Sequence, residues 1–284
     1  MEVQSPAKIN LYLEVTGKRA DGYHTLRTLM CPVSLHDTLT IAFGRREFSV
    51  SCDAPGVPRD ESNLAYRAAV AFWDRAPGNI RRKMGRVGIF IEKRIPVAAG
   101  LGGGSSNAAA VLSRLNRLFK NPIPSEDLFA LGRSLGADVP FFIFGKPAVA
   151  TGIGEKLRAY EGMRPFPLLL IFPGFGVSTA EIFREFDLAL TKAERKIKQI
   201  PFIKGPFDPR DHLYNDLESV TMRRHGQVRH MKEALMTHGA LGALMTGSGP
   251  TVFGLFENRE KAVQAENALI ERPQWRVFPA ELIV

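Results

Sequence analysis

The sequence predicts an α+β protein of two domains, and three observations carry that prediction. A chain of 284 residues corresponds to about two domains at roughly 150 residues each. Strand-like and helix-like patterns are mixed without the regular strand–helix alternation of a parallel sheet. The pattern also restarts near residue 155, with the boundary inside 152–165, so domains of 1–155 and 156–284 are expected.

The elements follow in order. Over 8–15, Ile9, Leu11, Leu13 and Val15 alternate with Lys8, Asn10, Tyr12 and Glu14, a strand with one buried and one polar face. Further strands are expected at 37–43, 46–52, 87–92, 142–144 and 147–151. Ser62 is positioned to cap a helix carrying Leu64, Ala65, Ala68, Ala69 and Phe72, stopped by Pro77-Gly78. A second helix carries Ala108, Val111, Leu112, Leu115, Leu118 and Phe119 and ends before Pro122. Ser125 opens a third, with Leu128, Leu131 and Leu135 inward and Gly136 as its stop. In the second half, 168–172 reads as a buried strand and 179–190 as a helix. The stretch 192–212, rich in Lys, Arg, Pro and Gly, reads as a loop or excursion. A helix at 226–238, strands at 241–246 and 250–256, a helix at 259–271 and a strand at 276–283 complete the chain.

Composition narrows the function classes. With only Cys31 and Cys52, no disulfide framework or cysteine metal cluster is expected. The start Met-Glu-Val-Gln-Ser-Pro lacks a basic and an apolar leader region, and no run approaches 18 apolar residues, so a cytoplasmic protein is expected. A formal charge of +9 favours anionic partners, either nucleic acid or phosphorylated small molecules. The cationic runs Arg81-Arg82-Lys83, Lys192 to Lys198 and Arg223-Arg224 are not interleaved with aromatics, as a single-strand-binding surface requires. None of His36, His212, His225, His230 and His238 belongs to a metal-binding motif.

The most informative stretch is Ile95-Pro-Val-Ala-Ala-Gly100-Leu-Gly-Gly-Gly-Ser-Ser106, which opens the second helix. Free backbone N–H groups and the positive end of the helix dipole make such a position an anion site. Glycines let the backbone approach a phosphate and adopt positive φ, while Ser105 and Ser106 add hydroxyls. The lysine of a Walker loop is absent, so cationic charge must come from elsewhere. A second cluster, Thr246-Gly-Ser-Gly-Pro250, reads by itself as a hairpin turn.

These stretches, with Pro6-Ala-Lys-Ile-Asn-Leu11, Asp21-Gly-Tyr-His-Thr-Leu26, Leu135-Gly-Ala-Asp-Val-Pro-Phe141, Pro173 to Phe183 and Asn215-Asp-Leu-Glu218, resemble the GHMP kinase superfamily of galactose, homoserine, mevalonate and phosphomevalonate kinases. The resemblance covers nearly the whole chain; the basic excursion near 190–212 departs from it. It implies a ribosomal-S5-like N-terminal domain that binds ATP and a ferredoxin-like C-terminal domain. Gly22-Tyr-His24 is similar to a branch that phosphorylates the 2-hydroxyl of a cytidine-diphosphate-linked methylerythritol, in non-mevalonate isoprenoid precursor synthesis.

The resemblance further implies roles for single residues. Asp138 would orient the acceptor hydroxyl and take its proton, although an Asp before Val-Pro also serves as a cap or turn. Lys8 would offset charge on the transferring phosphoryl group. ATP would lie along Pro96, Val97, Ala98, Ala99, Gly100, Leu101, Gly102, Gly103, Gly104, Ser105 and Ser106, with Asn63 lining the adenine pocket or simply starting a helix. The acceptor would meet Asn10, Tyr23, His24, Lys146, Thr179 and Phe183. Standing alone, Tyr23 and His24 read better as a turn after Asp21-Gly22; Thr179 also reads as an N-cap and Phe183 as core. Mg2+ would accompany ATP through Ser105 or Ser106, with no carboxylate ligand evident. The partner would be this small molecule, with neither membrane nor nucleic acid involved. Homoserine- or mevalonate-type kinases, and a basic RNA-binding module, are the competing readings.

Overall fold

The structure, a computed structural model, describes residues 1–20, 22–186 and 205–284. The chain divides into two compact units. One comprises Met1–Ala7, His36–Val97 and Gly102–Gly145; the other comprises Lys8–Leu35, Ala98–Leu101 and Lys146–Val284. Two long strands, β1 (Glu2–Lys18) and β2 (His24–Arg45), contribute residues to both.

The first unit continues with β3 (Ser49–Cys52), α1 (Leu64–Arg75), α2 (Gly78–Met84), β4 (Arg86–Glu92), α3 (Gly103–Leu118), α4 (Ser125–Leu135) and α5 (Val139–Phe144). β4 runs antiparallel to the second half of β2, from Thr38↔Glu92 to Arg45↔Arg86, and parallel to β3. Alternation along β4 buries Val87, Ile89 and Ile91 against Phe72 of α1 and Leu112 and Leu115 of α3. Ala65, Ala68 and Ala69 meet Ala108 and Ala109 in the same core; residues this small let two helices approach closely while losing little side-chain entropy. Burying a ring such as Phe72, wholly shielded here, contributes about 1.5–3 kcal/mol.

Several local expectations are corrected in this unit. Asn63, not Ser62, caps α1, its side chain accepting from the Ala65 N–H; Ser62 Oγ instead donates to Asp60. Pro124, not Ser125, holds the N-cap position of α4, without a side-chain cap. Pro77-Gly78 ends α1 but also starts α2, because a proline just before a helix has its φ already set. The apolar run 142–144, read as a strand, is helical. Pro140 stands in the first turn of α5, and Val139 and Ile143, one turn apart, close over the bare backbone of Gly132, whose absent Cβ would lie 2.7 Å from Ile143.

The second unit adds β5 (Ala148–Gly152), β6 (Lys156–Ala159), β7 (Pro167–Phe172), α6 (Thr179–Glu185), α7 (Pro209–His212), β8 (Tyr214–Asn215), α8 (Glu218–Arg224), α9 (Gln227–Thr237), β9 (Gly242–Met245), β10 (Val252–Leu255), α10 (Arg259–Leu269) and β11 (Arg276–Glu281). The first half of β2 pairs with β5, which pairs with β6, while β8 joins β1 in parallel through Tyr12↔Tyr214. The other sheet is antiparallel in the order β11-β7-β10-β9. Its last strand lies beside its first, with α9 against β9 and β10 and α10 against β7 and β11, the ferredoxin-like arrangement expected.

β1 confirms a strand but corrects its polar face. Lys8, Asn10, Tyr12 and Glu14 are all buried, as are Ile9, Leu11, Leu13 and Val15, so the polar side chains face protein and must be satisfied there. β2 starts at His24, well before the expected 37. The expected helix 179–190 is α6 as far as Glu185; residues 187–204, including most of the basic excursion, lie outside the described residues, and Pro209–His212 forms a single helical turn. Among the described residues, no helix is long and apolar enough to cross a membrane.

Candidate active site

The glycine loop leaves β4 through Lys93-Arg94-Ile95-Pro96 and enters α3 at Gly103. Two glycines are required by geometry. Gly100 has φ +78, and a Cβ there would stand 2.3 Å from the Thr246 carbonyl oxygen. Gly102, the N-cap of α3, has φ 71 and offers no capping side chain, and the first turn contains no acid. The leading amides of a 16-residue helix thus meet no carboxylate that would compete with an anionic ligand. Ala98, at φ 52, is a strained non-glycine position, tied by its carbonyl accepting from the Val177 N–H at 3.0 Å. Pro96, Ala99 and Leu101 are buried; Val97, Ala98 and Gly104 are exposed.

In the second unit, residues far apart in sequence meet at Gly100. Lys8 Nζ donates to Asn10 Oδ1 at 2.5 Å, and Asn10 Nδ2 donates to Thr28 Oγ1 at 2.9 Å. The Asn10 backbone N–H donates to Thr246 Oγ1 at 3.0 Å. The Lys8 N–H donates to the Leu101 carbonyl at 3.0 Å. Gly247 has φ +57, and a Cβ on it would come within 3.4 Å of both Lys8 Nζ and Asn10 Oδ1. The turn at 246–250 does join β9 to β10, as a hairpin turn would, but it is also packed on Lys8 and Asn10. Asn215 holds it from behind, donating to the carbonyls of Met245 and Gly247, both at 2.8 Å. Ser248 Oγ lies 2.8 Å from Thr179 Oγ1. Thr246, Gly247, Ser248 and Asn215 were not singled out as site residues by the sequence reading; the signal available was the Thr-Gly-Ser-Gly run itself, whose tertiary contacts no local pattern encodes.

A second group, in which only Gly103 and Ser106 were among the expected site residues, braces the loop in the first unit. Asp37, wholly buried, accepts from the N–H groups of Arg94 (2.9 Å) and Ile95 (2.8 Å) and from Lys93 Nζ (2.7 Å). Lys93 Nζ also donates to the Ile95 carbonyl at 2.5 Å. With its nitrogen turned toward them, the two N–H groups of the Asn107 amide have Ser5 Oγ (2.7 Å), Asp37 Oδ2 (3.1 Å) and the Gly103 carbonyl (3.2 Å) as acceptors within reach. Ser5 Oγ in turn reaches Ser106 Oγ at 2.7 Å. Burial pulls the Lys93 ammonium below its ordinary value, with the Asp37 carboxylate the largest opposing influence. The strand exit and the first helical turn are thereby fixed to one another.

The remaining expected residues fall as follows. His24 and Phe183 stack, ring centroids 5.1 Å apart at 27°. Burial, and then Lys18, lower the His24 pKa from its ordinary value. Tyr23 beside it is 60% exposed; Asp21 lies outside the described residues. Asp138 occupies the N-cap position of α5 but makes no capping bond with its side chain, and it is half-buried. Thr179 begins α6, whose cap is the neighbouring Ser178. Lys146 is exposed. Asn63 is buried and engaged at both ends of its amide, accepting from Ala65 and donating to the Pro58 carbonyl at 2.7 Å. Among the described residues no cluster of His, Cys, Asp or Glu has the makings of a metal centre.

The family model "GHMP kinases N terminal domain" matches residues 63–146 and "GHMP kinases C terminal" matches 208–273. The 4-diphosphocytidyl-2-C-methyl-D-erythritol kinase of Syntrophus aciditrophicus (strain SB) is 44% identical over 280 residues, 98% of each chain. That of Syntrophotalea carbinolica is 46% identical over 279 residues, 98% of this chain and 97% of its own. Among solved structures, a 4-(cytidine 5'-diphospho)-2C-methyl-D-erythritol kinase superposes with TM-score 0.79 at 36% identity over 99% of both chains. A homoserine kinase from Cytophaga hutchinsonii reaches 0.65 at 16% identity, which is likeness of fold alone. The chain belongs to the GHMP kinase family of ATP-dependent kinases.

Proposed function

We propose that the chain transfers the γ-phosphoryl group of ATP to the 2-hydroxyl of 4-diphosphocytidyl-2-C-methyl-D-erythritol, in the cytoplasm, on the route to isoprenoid precursors. The observation that carries the acceptor class is the His24–Phe183 ring pair with exposed Tyr23 beside it. Flat aromatic faces with an imidazole edge suit a pyrimidine, by stacking and an edge hydrogen bond. They have no evident use for homoserine or mevalonate, which lack a base. Full-length relatives of that name at 44% and 46% identity support the same reading.

The residues divide the work. The leading amides of α3 and the turn at Gly100 hold the phosphates of ATP, a fit supported by the lack of an acid or a cap there. Segments 1–155 and 156–284 are the ATP-binding and C-terminal domains of this reading. Asn63, at the head of α1, borders the adenine. Lys8 neutralises charge on the phosphoryl oxygens in the place of the missing Walker lysine; Asn10, by accepting from Nζ, fixes where that ammonium points. Mg2+, held beside Ser105 or Ser106, would supply further neutralisation of the β- and γ-oxygens. Asp138 accepts a hydrogen bond from the acceptor hydroxyl, aligns its lone pair and takes the proton as the bond to phosphorus forms. A loose phosphoryl-transfer transition state asks for alignment more than for early deprotonation. Thr179 and Lys146 contact the acceptor diphosphate.

An ADP-release assay tests the reading directly. With ATP, magnesium and the diphosphocytidyl acceptor, turnover at about 1–100 per second is expected, and homoserine or mevalonate should give none. Absence of turnover with folded protein, or a preference for homoserine, overturns the assignment.

A further inference from the structure

The first unit contains a pocket that shares only Ser106 with the residues of the proposed reaction. Its volume is about 200 Å³, and it lies along α3 where the helix passes Gln4 and Pro6 of β1 and Phe142 of α5. Ser106, Ala110, Ser113 and Arg117 follow one another at helical spacing along its floor, with Arg114 beside them. Residues three and four apart share a helix face, so two guanidinium groups on adjacent turns are aimed at one space. The alanines at 109 and 110 keep that space open.

The lining contains two arginines, two hydroxyls and an amide, and no carboxylate. Neither arginine forms an ion pair with a described residue. Arg114 Nε is shielded from solvent and has no hydrogen-bond partner. A buried unsatisfied N–H is costly, more so when charged, and a native structure that contains one calls for an explanation such as an ion. An arginine fork with an unmet donor matches a tetrahedral oxyanion in charge and in geometry. The volume is below the roughly 300 Å³ at which pockets for drug-sized ligands begin, a size that suits a small anion.

We propose that this pocket binds inorganic phosphate or diphosphate through Arg114 and Arg117, with the Ser113 hydroxyl and the Gln4 amide completing the shell. Its arginines stand away from the glycine loop: Arg114 is about three turns along α3 from Gly103. The two sites share one helix, and Ser106, whose hydroxyl meets Ser5 at 2.7 Å, belongs to both. An anion held here bears directly on the helix whose start carries the loop.

The test is titration of phosphate, and separately of diphosphate, into the full chain saturated with a non-hydrolysable ATP analogue, followed by calorimetry and by 31P line broadening at constant ionic strength. One saturable site is expected. Arg114→Met should weaken it at least about tenfold and Arg114→Lys less, because an ammonium keeps the charge and loses the fork. Arg117→Met, on the exposed side of the pocket, serves as a second variant should Arg114→Met fail to fold. Neither variant should change the KM for ATP more than about twofold in the absence of added phosphate. No saturable binding up to about 20 mM, binding that both variants leave unchanged, or equal binding of acetate overturns the site.

Discussion

Asp138 illustrates how much a single side chain's context decides. Its backbone occupies the N-cap position of α5 while its side chain makes no capping bond. A carboxylate used only as a cap would bond the amides of the first helical turn. Asp138→Asn is therefore expected to lower kcat by about 10²–10⁴ with the KM for ATP within about threefold, as measured by ADP release. A kcat within tenfold of the parent would remove Asp138 from the chemistry. His24 gives a second expectation at this scale. Its pKa is lowered from the ordinary 6.5, chiefly by burial, so the folded state prefers the neutral ring and binds fewer protons than the unfolded chain just below that pH. Any stability linked to it is therefore present above about pH 6.5 and declines as the pH falls. The same sign applies to the neutral ring that stacks on Phe183. The KM for the acceptor should stay level from pH 8 to about 6.5 and rise only below. A rise beginning near pH 7.5, with KM for ATP level, would contradict the half-buried, neutral imidazole.

At the scale of elements, the exit of β4 and the start of α3 depend on one carboxylate. Asp37 receives two backbone N–H groups and an ammonium, and it is the carboxylate that Lys93 Nζ pairs with. Removing one member of a buried pair leaves the other charge uncompensated, at a cost of about 3–5 kcal/mol. Asp37→Ala should therefore lower the unfolding free energy by about that amount in urea and raise the KM for ATP. Adding Lys93→Met should recover part of the stability, since the orphaned ammonium is gone, but not the KM, since the Arg94 and Ile95 amides stay unmet. A double variant no more stable than Asp37→Ala would show that the pair is not coupled. This brace was illegible in the sequence for a physical reason. Asp37 and Lys93 are 56 residues apart, and nothing in the alternating pattern around Asp37 distinguishes a buried acceptor from a solvated one. The α3 start was legible because its cause is local: glycines for positive φ, serines, then apolar residues at helical spacing. Residues 142–144 failed for the opposite reason, since three apolar residues fit either period and Pro140 with Gly132 made the choice.

Across the whole molecule, what the sequence disclosed was mainly charge, periodicity and motif, and what it withheld was convergence. Lys8 and Asn10, Gly100 and Thr246 come from three separate stretches, and only the folded second unit brings the Thr-Gly-Ser-Gly turn onto β1. The partners of the buried polar residues in β1 were hidden for the same reason, because alternation reports which side chains share a face and not what covers it. Charge, by contrast, is additive and visible from composition, and it leads to a kinetic expectation. The chain has a formal charge of +9, whereas ATP and a diphosphate-linked acceptor are polyanions. A field of that sign raises the encounter rate of anions and is screened by salt, with a Debye length of about 10 Å at 0.1 M and about 3 Å at 1 M. Between 50 mM and 500 mM potassium chloride, kcat/KM for both substrates should fall severalfold, while kcat, which reports the bound complex, changes little. Substituting potassium glutamate at the same ionic strength separates screening from competition by chloride for the phosphate-binding amides: screening acts equally in both salts. A kcat/KM that stays level across this range would mean that the surplus positive charge contributes nothing to substrate capture.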